Sequence, residues 1–537
     1  MHIAFEAQPE LLPQRTTDAI RFIYDGSAQI NSVALAGTFN YWAGDACMMR
    51  RESPTRWICF LPLTPGRHLY KFVVDGHRWI PDPANPWISE DGQNNSCLTI
   101  TEDGEVFIRD ANIGPESPGV LYERHRALSS PDWLHDAVVY QLSVAAFGGN
   151  FDGVRERLGH LAELGVNTIW MMPIHPIGRQ GRRGTLGDPY AASDFETIDP
   201  ALGSERSLRD LIKAIHALGM RIVFDFTLNR SSADHPLTVS HPHWYTRDSD
   251  GKVYYAVPNR EEFAGFNFAS RDLRCYLIGV MVRWVRHFAL DGIRFDDSDI
   301  TPTDFLEEIR VALAEVNPDI AVISQAYDEF HHLAGCDLTY EGGTREMLRR
   351  IAHGESSARS LARYWEQSAY SFPRGALRLR WLEEKEQPRA NVFLGREAHL
   401  AAASVLLTMD GVPHLLMGQE FGEKTWRDWT VLFDHYRLNW SSFDTETFEH
   451  FRALIALRRE HAALRLGATG FIDTLPDAVV GFRRILQGQT ITVLANLSAN
   501  AVTVALGPGR TLYARHWIVA SQQLGAFGCL IVADGGK

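Results

Sequence analysis

The chain has 537 residues, 45% hydrophobic and 22% charged, an ordinary globular composition too long for one compact core, so two or three domains are expected. A net charge of -13 argues against a nucleic-acid footprint and against docking on anionic lipid, both of which need clustered positive charge. A neutral polymer or small sugar fits that surface. Cys47, Cys59, Cys97, Cys275, Cys336 and Cys529 form no C-x-x-C pair and are expected to be buried thiols of a reducing compartment. The opening MHIAFEAQPELLPQ lacks a basic stretch followed by an apolar one, and no window approaches a membrane span. A cytoplasmic protein is expected, with neither membrane nor nucleic acid as partner.

Residues 18–105 alternate short apolar runs (32–36, 57–63, 69–74 and 97–100) with turn-forming pairs such as Pro65-Gly66 and Asp75-Gly76, the pattern of a small antiparallel β-sandwich. Its Trp42, Trp79, Lys71 and Asn94 or Asn95 are residue types that stack on and hydrogen-bond a sugar face. The alternative is that each Trp fills the sandwich core. From about residue 136 the rhythm becomes short apolar strands separated by amphipathic helices, the sign of a parallel β/α architecture. Candidate strands are 137–144, 168–174, 221–227, 292–297, 321–326, 337–340, 379–383 and 414–418, which predict a closed barrel. Val154, Leu158, Leu161 and Leu164 share one helical face, as do Leu208, Leu211, Ile215 and Leu218. The connection 230–270 is rich in His, Pro, Asp and aromatics and is expected to form a lobe over the barrel mouth. Segments 478–486, 490–497 and 501–506 read as strands of a terminal domain. The predicted fold is an α/β (β/α)8 TIM barrel (106–465, lobe 230–270) between an N-terminal β-sandwich (1–105) and a C-terminal antiparallel β domain (466–537).

In such a barrel, groups at the C-terminal ends of strands converge on one site. Here they are Asp225 with Asn229 and Arg230 at the third strand, Arg294 and Asp296 on the fourth, Gln325 after the fifth and Glu386 after the seventh. This constellation resembles glycoside hydrolase family 13, the α-amylase family, from about Asp136 onward. MMPIHPIGRQGRRGTLGDPY, which ends at Tyr190, DFETIDPALGS, HPHWYTRDSDG and GVPHLLMGQEFGE are similar to that family's landmarks. Through GTFNYW (37–42), YKFVVDG (70–76) and DGQNNS (91–96), the N-terminal sandwich resembles carbohydrate-binding module family 48.

The resemblance implies a retaining mechanism, with a carboxylate nucleophile and a protonated carboxyl about 5 to 5.5 Å apart. It puts the nucleophile at Asp296, held ionised by Arg294, with Tyr190 stacked under the sugar and a third carboxylate at Glu386. The general-acid position carries Gln325, which has no proton to give at neutral pH but keeps the shape and can hydrogen-bond a glycosidic oxygen. Losing one general acid costs roughly 10²- to 10⁴-fold in rate. The same exchange is how a substrate trap is engineered, yet other departures accompany it. The family's Asn-His of the third strand is Asn229-Arg230 here, and its Asn-His-Asp of the seventh is Glu384-Lys385-Glu386; Asp299-Ile300 replaces Lys-His, and Gly265 replaces an Asp of the lobe. Arg230 and Lys385 are expected to pair with Asp296, Asp299, Glu384 and Glu386, filling the space a glucose ring needs.

Three functions stay open on these residues. The leading one is an α-amylase relative that has lost catalysis and binds α-1,4-glucan or maltooligosaccharide, chiefly through its N-terminal module. In the second, Arg230 and Lys385 recognise a phosphate or carboxylate on the sugar, and Asp296 attacks a substrate whose leaving group needs little protonation. The third is an ordinary hydrolase or transglycosylase of maltooligosaccharides in which Asp328 or Glu329 supplies the proton, although two acids after Tyr327 also suit a solvated helix start. No cofactor and no metal is expected: Asn229 matches a calcium-ligand position in part of the family, without evident carboxylate partners in the lobe.

Overall fold

The computed structural model describes residues 9–85, 95–100, 104–108, 122, 125–248, 250–255, 259–505, 507 and 509–534. Asn94 and most of the DGQNNS stretch lie outside the described residues.

Alternation along the N-terminal strands decides which side chains meet. Val33–Gly37 pairs antiparallel with Gly66–Val74, which also pairs with Ser96–Ile100 and Arg78–Ile80. Val33, Leu35, Phe72 and Val74 point inward and pack on Phe22, Tyr24 and Trp57 of the second sheet, in which Ile20–Asp25 pairs with Arg56–Leu61. The intervening residues Ala34, Ala36 and Val73 point outward, and Trp42 and Trp79 pack on them. Lys71 is the cross-strand partner of Ala36, so it shares that outer face. The core tryptophan is therefore Trp57; Trp42 and Trp79 are half-buried on the outside of the sandwich.

Eight parallel strands close into a barrel in chain order: Val139–Leu142, Thr168–Met171, Arg221–Thr227, Gly292–Asp296, Ala321–Ser324, Leu338–Glu341, Leu377–Trp381 and Val412–Leu416. Period-2 alternation again sorts the side chains. Ile293 and Phe295 join the core beneath the helices, whereas Arg294 and Asp296 lie on the opposite face, toward an interior containing Trp170, Tyr340 and Trp381. Parallel register places Asp225 beside Arg294 and Thr227 beside Asp296, so the third and fourth strands bring their charged residues to one level. The lobe is built on a hairpin of Arg230–Ser232 with Phe263–Gly265. Arg389 is fully buried between Glu383 (2.7 Å) and Glu423 (2.9 Å) and donates to the Met417 carbonyl, fixing the loops after the seventh and eighth strands.

Several expectations need correction. The helical face of Val154 to Leu164 is split between Phe151–Glu156 and Leu158–Leu164, with a break at Arg157. Leu218 caps the Glu205–Ala217 helix and is exposed, while Ile212 takes a buried place beside Leu208, Leu211 and Ile215. Cys275 is an exposed thiol, not a buried one. The C-terminal sheet contains a long hairpin, Gly509–Ile518 with Gln523–Asp534, where only a short 501–506 strand was expected; that segment is Val502–Thr503. No helix among the described residues is long and apolar enough to cross a membrane.

The sandwich is seated on the barrel mouth. The Tyr254 hydroxyl of the lobe donates to the Trp42 carbonyl (3.2 Å), Tyr41 stacks on Phe268, and Thr99 donates to Glu329 (3.3 Å). Asp328 and Glu329, expected at a solvated helix start, are buried at this junction instead. Burial, and then the neighbouring Glu329, push the Asp328 carboxyl up from 3.8 to about 7. The folded chain thus retains a proton that the unfolded chain releases, so stability falls as pH rises from about 4 to about 7. Asp328→Asn has no such proton to lose and is expected to remove this part of the fall. Unfolding midpoints at about pH 5 and about pH 8 check it, and equal falls in both proteins would refute it.

Candidate active site

The end of the fourth barrel strand carries a dense cluster of buried charges. Asp296 is buried and meets three cations: Arg294 Nη1 at 2.6 Å and Lys385 Nζ at 3.2 Å on Oδ1, and Arg230 Nη2 at 2.6 Å on Oδ2. Burial alone would raise its pKa, but Lys385, Arg294 and Arg230 hold the carboxyl well below the usual range. Each cation has a second carboxylate partner. Arg294 meets Asp225 at 2.8 Å, Arg230 meets Asp297 at 2.7 Å, and Lys385 meets Glu386 at 2.7 Å. Burial works against the Lys385 ammonium, and Asp296, Glu386 and Glu384 outweigh it, holding its pKa above the ordinary range.

Gln325 is bonded at both ends of its amide. Its Oε1 accepts from Arg294 Nη2 and from the Asp297 N–H (3.4 Å), and its Nε2 donates to Glu386 (3.0 Å). Asp297 reaches this position by adopting a left-handed backbone, φ 44°, which Asp tolerates better than most residues. Among the described residues Glu384 forms no ion pair with Arg230 or Lys385; its Oε2 accepts from the Glu386 N–H (2.8 Å), and burial followed by Glu386 pushes it up to about 7. Asp299 lines the cleft.

Tyr190 is buried, its hydroxyl donating to Asp225 (2.9 Å), and the Lys385 ammonium lies 4.5 Å from its ring centroid. The place above the aromatic where a sugar was expected is thus taken by a cation. Asn229 is likewise committed, its Oδ1 accepting from Arg230 (2.8 Å) and its Nδ2 donating to the Asp297 carbonyl (2.7 Å). Among the described residues, no group of three or more His, Cys, Asp or Glu is placed to hold a metal ion.

Sequence reasoning brought Asp296, Arg294, Arg230, Lys385, Gln325 and Glu386 to one place, and the structure joins them in one network. It missed Asp297, Tyr255 and Trp429. Tyr255 accepts from Arg230 (3.1 Å), and Trp429 lies 5.9 Å from the Lys385 ammonium. The Asp296-Asp297 doublet was a usable signal for the first; nothing local marks the other two. Trp42, Lys71, Trp79 and Asn95 were singled out as residue types that meet a sugar face. They line the same cleft, of about 400 Å³, as Asp296, Gln325, Lys385 and Glu386, because the sandwich sits with its outer face over the barrel.

Residues 127–261 match the α-amylase catalytic domain, and residues 15–106 match the glycogen recognition site of AMP-activated protein kinase. The chain is similar to an α-amylase of Haloarcula japonica, 28% identical over 409 residues that make up 72% of this chain and 58% of the relative. It thus spans less than two thirds of that relative's length. It is also similar to the crystal structure of a noncanonic maltogenic α-amylase from Thermotoga neapolitana, with 27% identity and a TM-score of 0.68 over 75% of this chain and all of the other. A cyclomaltodextrinase shares the fold over 96% of this chain and 97% of its own, at 19% identity and a TM-score of 0.66.

The charge cluster makes Asp296 a structural anion. Asp296→Asn leaves three buried cations without their shared counterion and is expected to cost about 3 kcal/mol of stability, seen as a lower thermal unfolding midpoint at neutral pH. An unchanged or raised midpoint would contradict this role.

Proposed function

This chain belongs to the α-amylase family and carries an N-terminal glycogen-recognition module, and from that premise we propose that it binds α-1,4-glucan or maltooligosaccharide without cleaving it by retaining hydrolysis. One observation carries the reading: both oxygens of Asp296 are committed to Arg230, Arg294 and Lys385, while the acid position holds an amide. A nucleophile must present a lone pair to the anomeric carbon, and a retaining site must also protonate the leaving oxygen. Neither demand is met by these groups. The six free thiols agree with the cytoplasmic, reducing setting that the same reading expects.

Recognition of a phosphorylated sugar draws no support from this geometry, because Arg230 and Lys385 are each shared between two carboxylates. A second reading, residual turnover, has one observation in its favour. Asp328 lines the cleft, and a carboxyl pushed up to about 7 retains a proton near neutrality.

Maltoheptaose offered to the unmodified chain is expected to bind with no release of reducing ends. Gln325→Glu is expected to stay inactive too, since it restores an acid without freeing Asp296. Sustained turnover by the unmodified chain would overturn the proposal, and its loss in Asp328→Asn would identify the acid. Turnover gained by Gln325→Glu alone would show that the missing acid, not the cation cage, was the obstacle.

A further inference from the structure

The sandwich and the barrel face each other across one cavity. Trp42, Lys71, Trp79 and Asn95 form its module wall; Tyr327, Gln325, Glu386 and Trp429 belong to its barrel wall. We propose, resting on the α-glucan reading above, that these walls make a single binding site that holds one short α-glucan segment against module and barrel at once.

The backbone that presents Trp42 is the first support. Tyr41 and Trp42 are consecutive left-handed residues, φ 54° and 59°, a conformation that bulky side chains rarely adopt and that persists where surrounding contacts impose it, commonly at binding sites. Two sets of contacts impose it here. Within the module, the Asn40 side chain accepts from the Gly37 N–H and donates to the Leu35 carbonyl, both at 2.9 Å, and the Trp42 N–H donates to the Gly37 carbonyl. From the barrel side, Tyr254 donates to the Trp42 carbonyl, and Phe268 stacks on Tyr41. The lobe thus helps to shape the module's aromatic face, so that face as built depends on the barrel.

The chemistry of the walls is the second support. Trp42 and Trp79 stand 6.4 Å apart, tilted by 43°, and offer adjacent aromatic surfaces of the kind on which the apolar faces of glucose rings stack. Across from them Gln325 is partly exposed and Glu386 is exposed, supplying polar groups that can meet hydroxyls. A volume of about 400 Å³ lies at the low end for small-ligand sites and has room for roughly two or three sugar rings. The ligand class is therefore a short maltooligosaccharide segment.

Calorimetric titration of maltotriose into the intact chain, Trp79→Ala and Trp429→Ala separates one shared site from two. With one site, the stoichiometry is one and each substitution, on opposite walls, weakens binding by at least about tenfold. Two independent sites would give a stoichiometry of two, and each substitution would remove one site while leaving the other at unchanged affinity; that result overturns the inference but leaves glucan binding intact. Failure of the unmodified chain to bind maltotriose, maltoheptaose or glycogen would sink the α-glucan reading itself, and the shared site with it. Lys71→Ala, on the same module face, repeats the test if Trp79→Ala does not fold, as judged by its thermal midpoint.

Discussion

Three buried cations converge on the buried Asp296 carboxylate at the floor of the cleft, and the rest of the barrel mouth is arranged around keeping those charges matched. Burying an ion pair is tolerable only when each partner finds another, and removing one member leaves an uncompensated charge. Arg230, Arg294 and Lys385 each satisfy this by reaching a second carboxylate, Asp297, Asp225 and Glu386 respectively. The loops that supply these groups must then be held in register. Arg389 does so after the seventh strand, and the left-handed turn at Asp297 does so after the fourth.

The amide at Gln325 belongs to the same electrostatic arrangement. Its oxygen faces Arg294 and its nitrogen faces Glu386, so it links the cationic and anionic sides of the cluster. A carboxylate in that position would set two like charges at hydrogen-bond distance, and one of them would have to take up a proton. The amide at position 325 and the neighbouring Arg294 and Lys385 are therefore electrostatically coupled through Glu386 and Asp296. Lys385 also lies over Tyr190, so the same charge arrangement covers that aromatic ring.

The aromatic surface proposed to carry the glucan lies instead on the module. Small residues at Ala34 and Ala36 leave room on the outer sheet face for Trp42 and Trp79, and the lobe contacts through Tyr254 and Phe268 turn that face toward the barrel. A cleft with aromatic surface on one side and polar groups on the other results from two domains, each of which contributes only half of it.

Composition and periodicity by themselves determined the eight barrel strands, the two flanking β domains and the residues that gather at the strand ends, because inward and outward positions alternate along each strand and parallel register carries Asp225, Arg294 and Asp296 to one level. The family resemblance added that the general-acid position carries the amide of Gln325. The hairpin Gly509–Ile518 with Gln523–Asp534 escaped because many residues of its first strand are exposed, which weakens the hydrophobic signal. Pairing within the cluster was decided by tertiary structure alone: Arg230 chose Asp297, which depends on a left-handed turn. So was the union of module and barrel in one cleft, since how two rigid bodies dock depends on contacts such as Tyr254 to Trp42, separated by 212 residues, that no local pattern encodes.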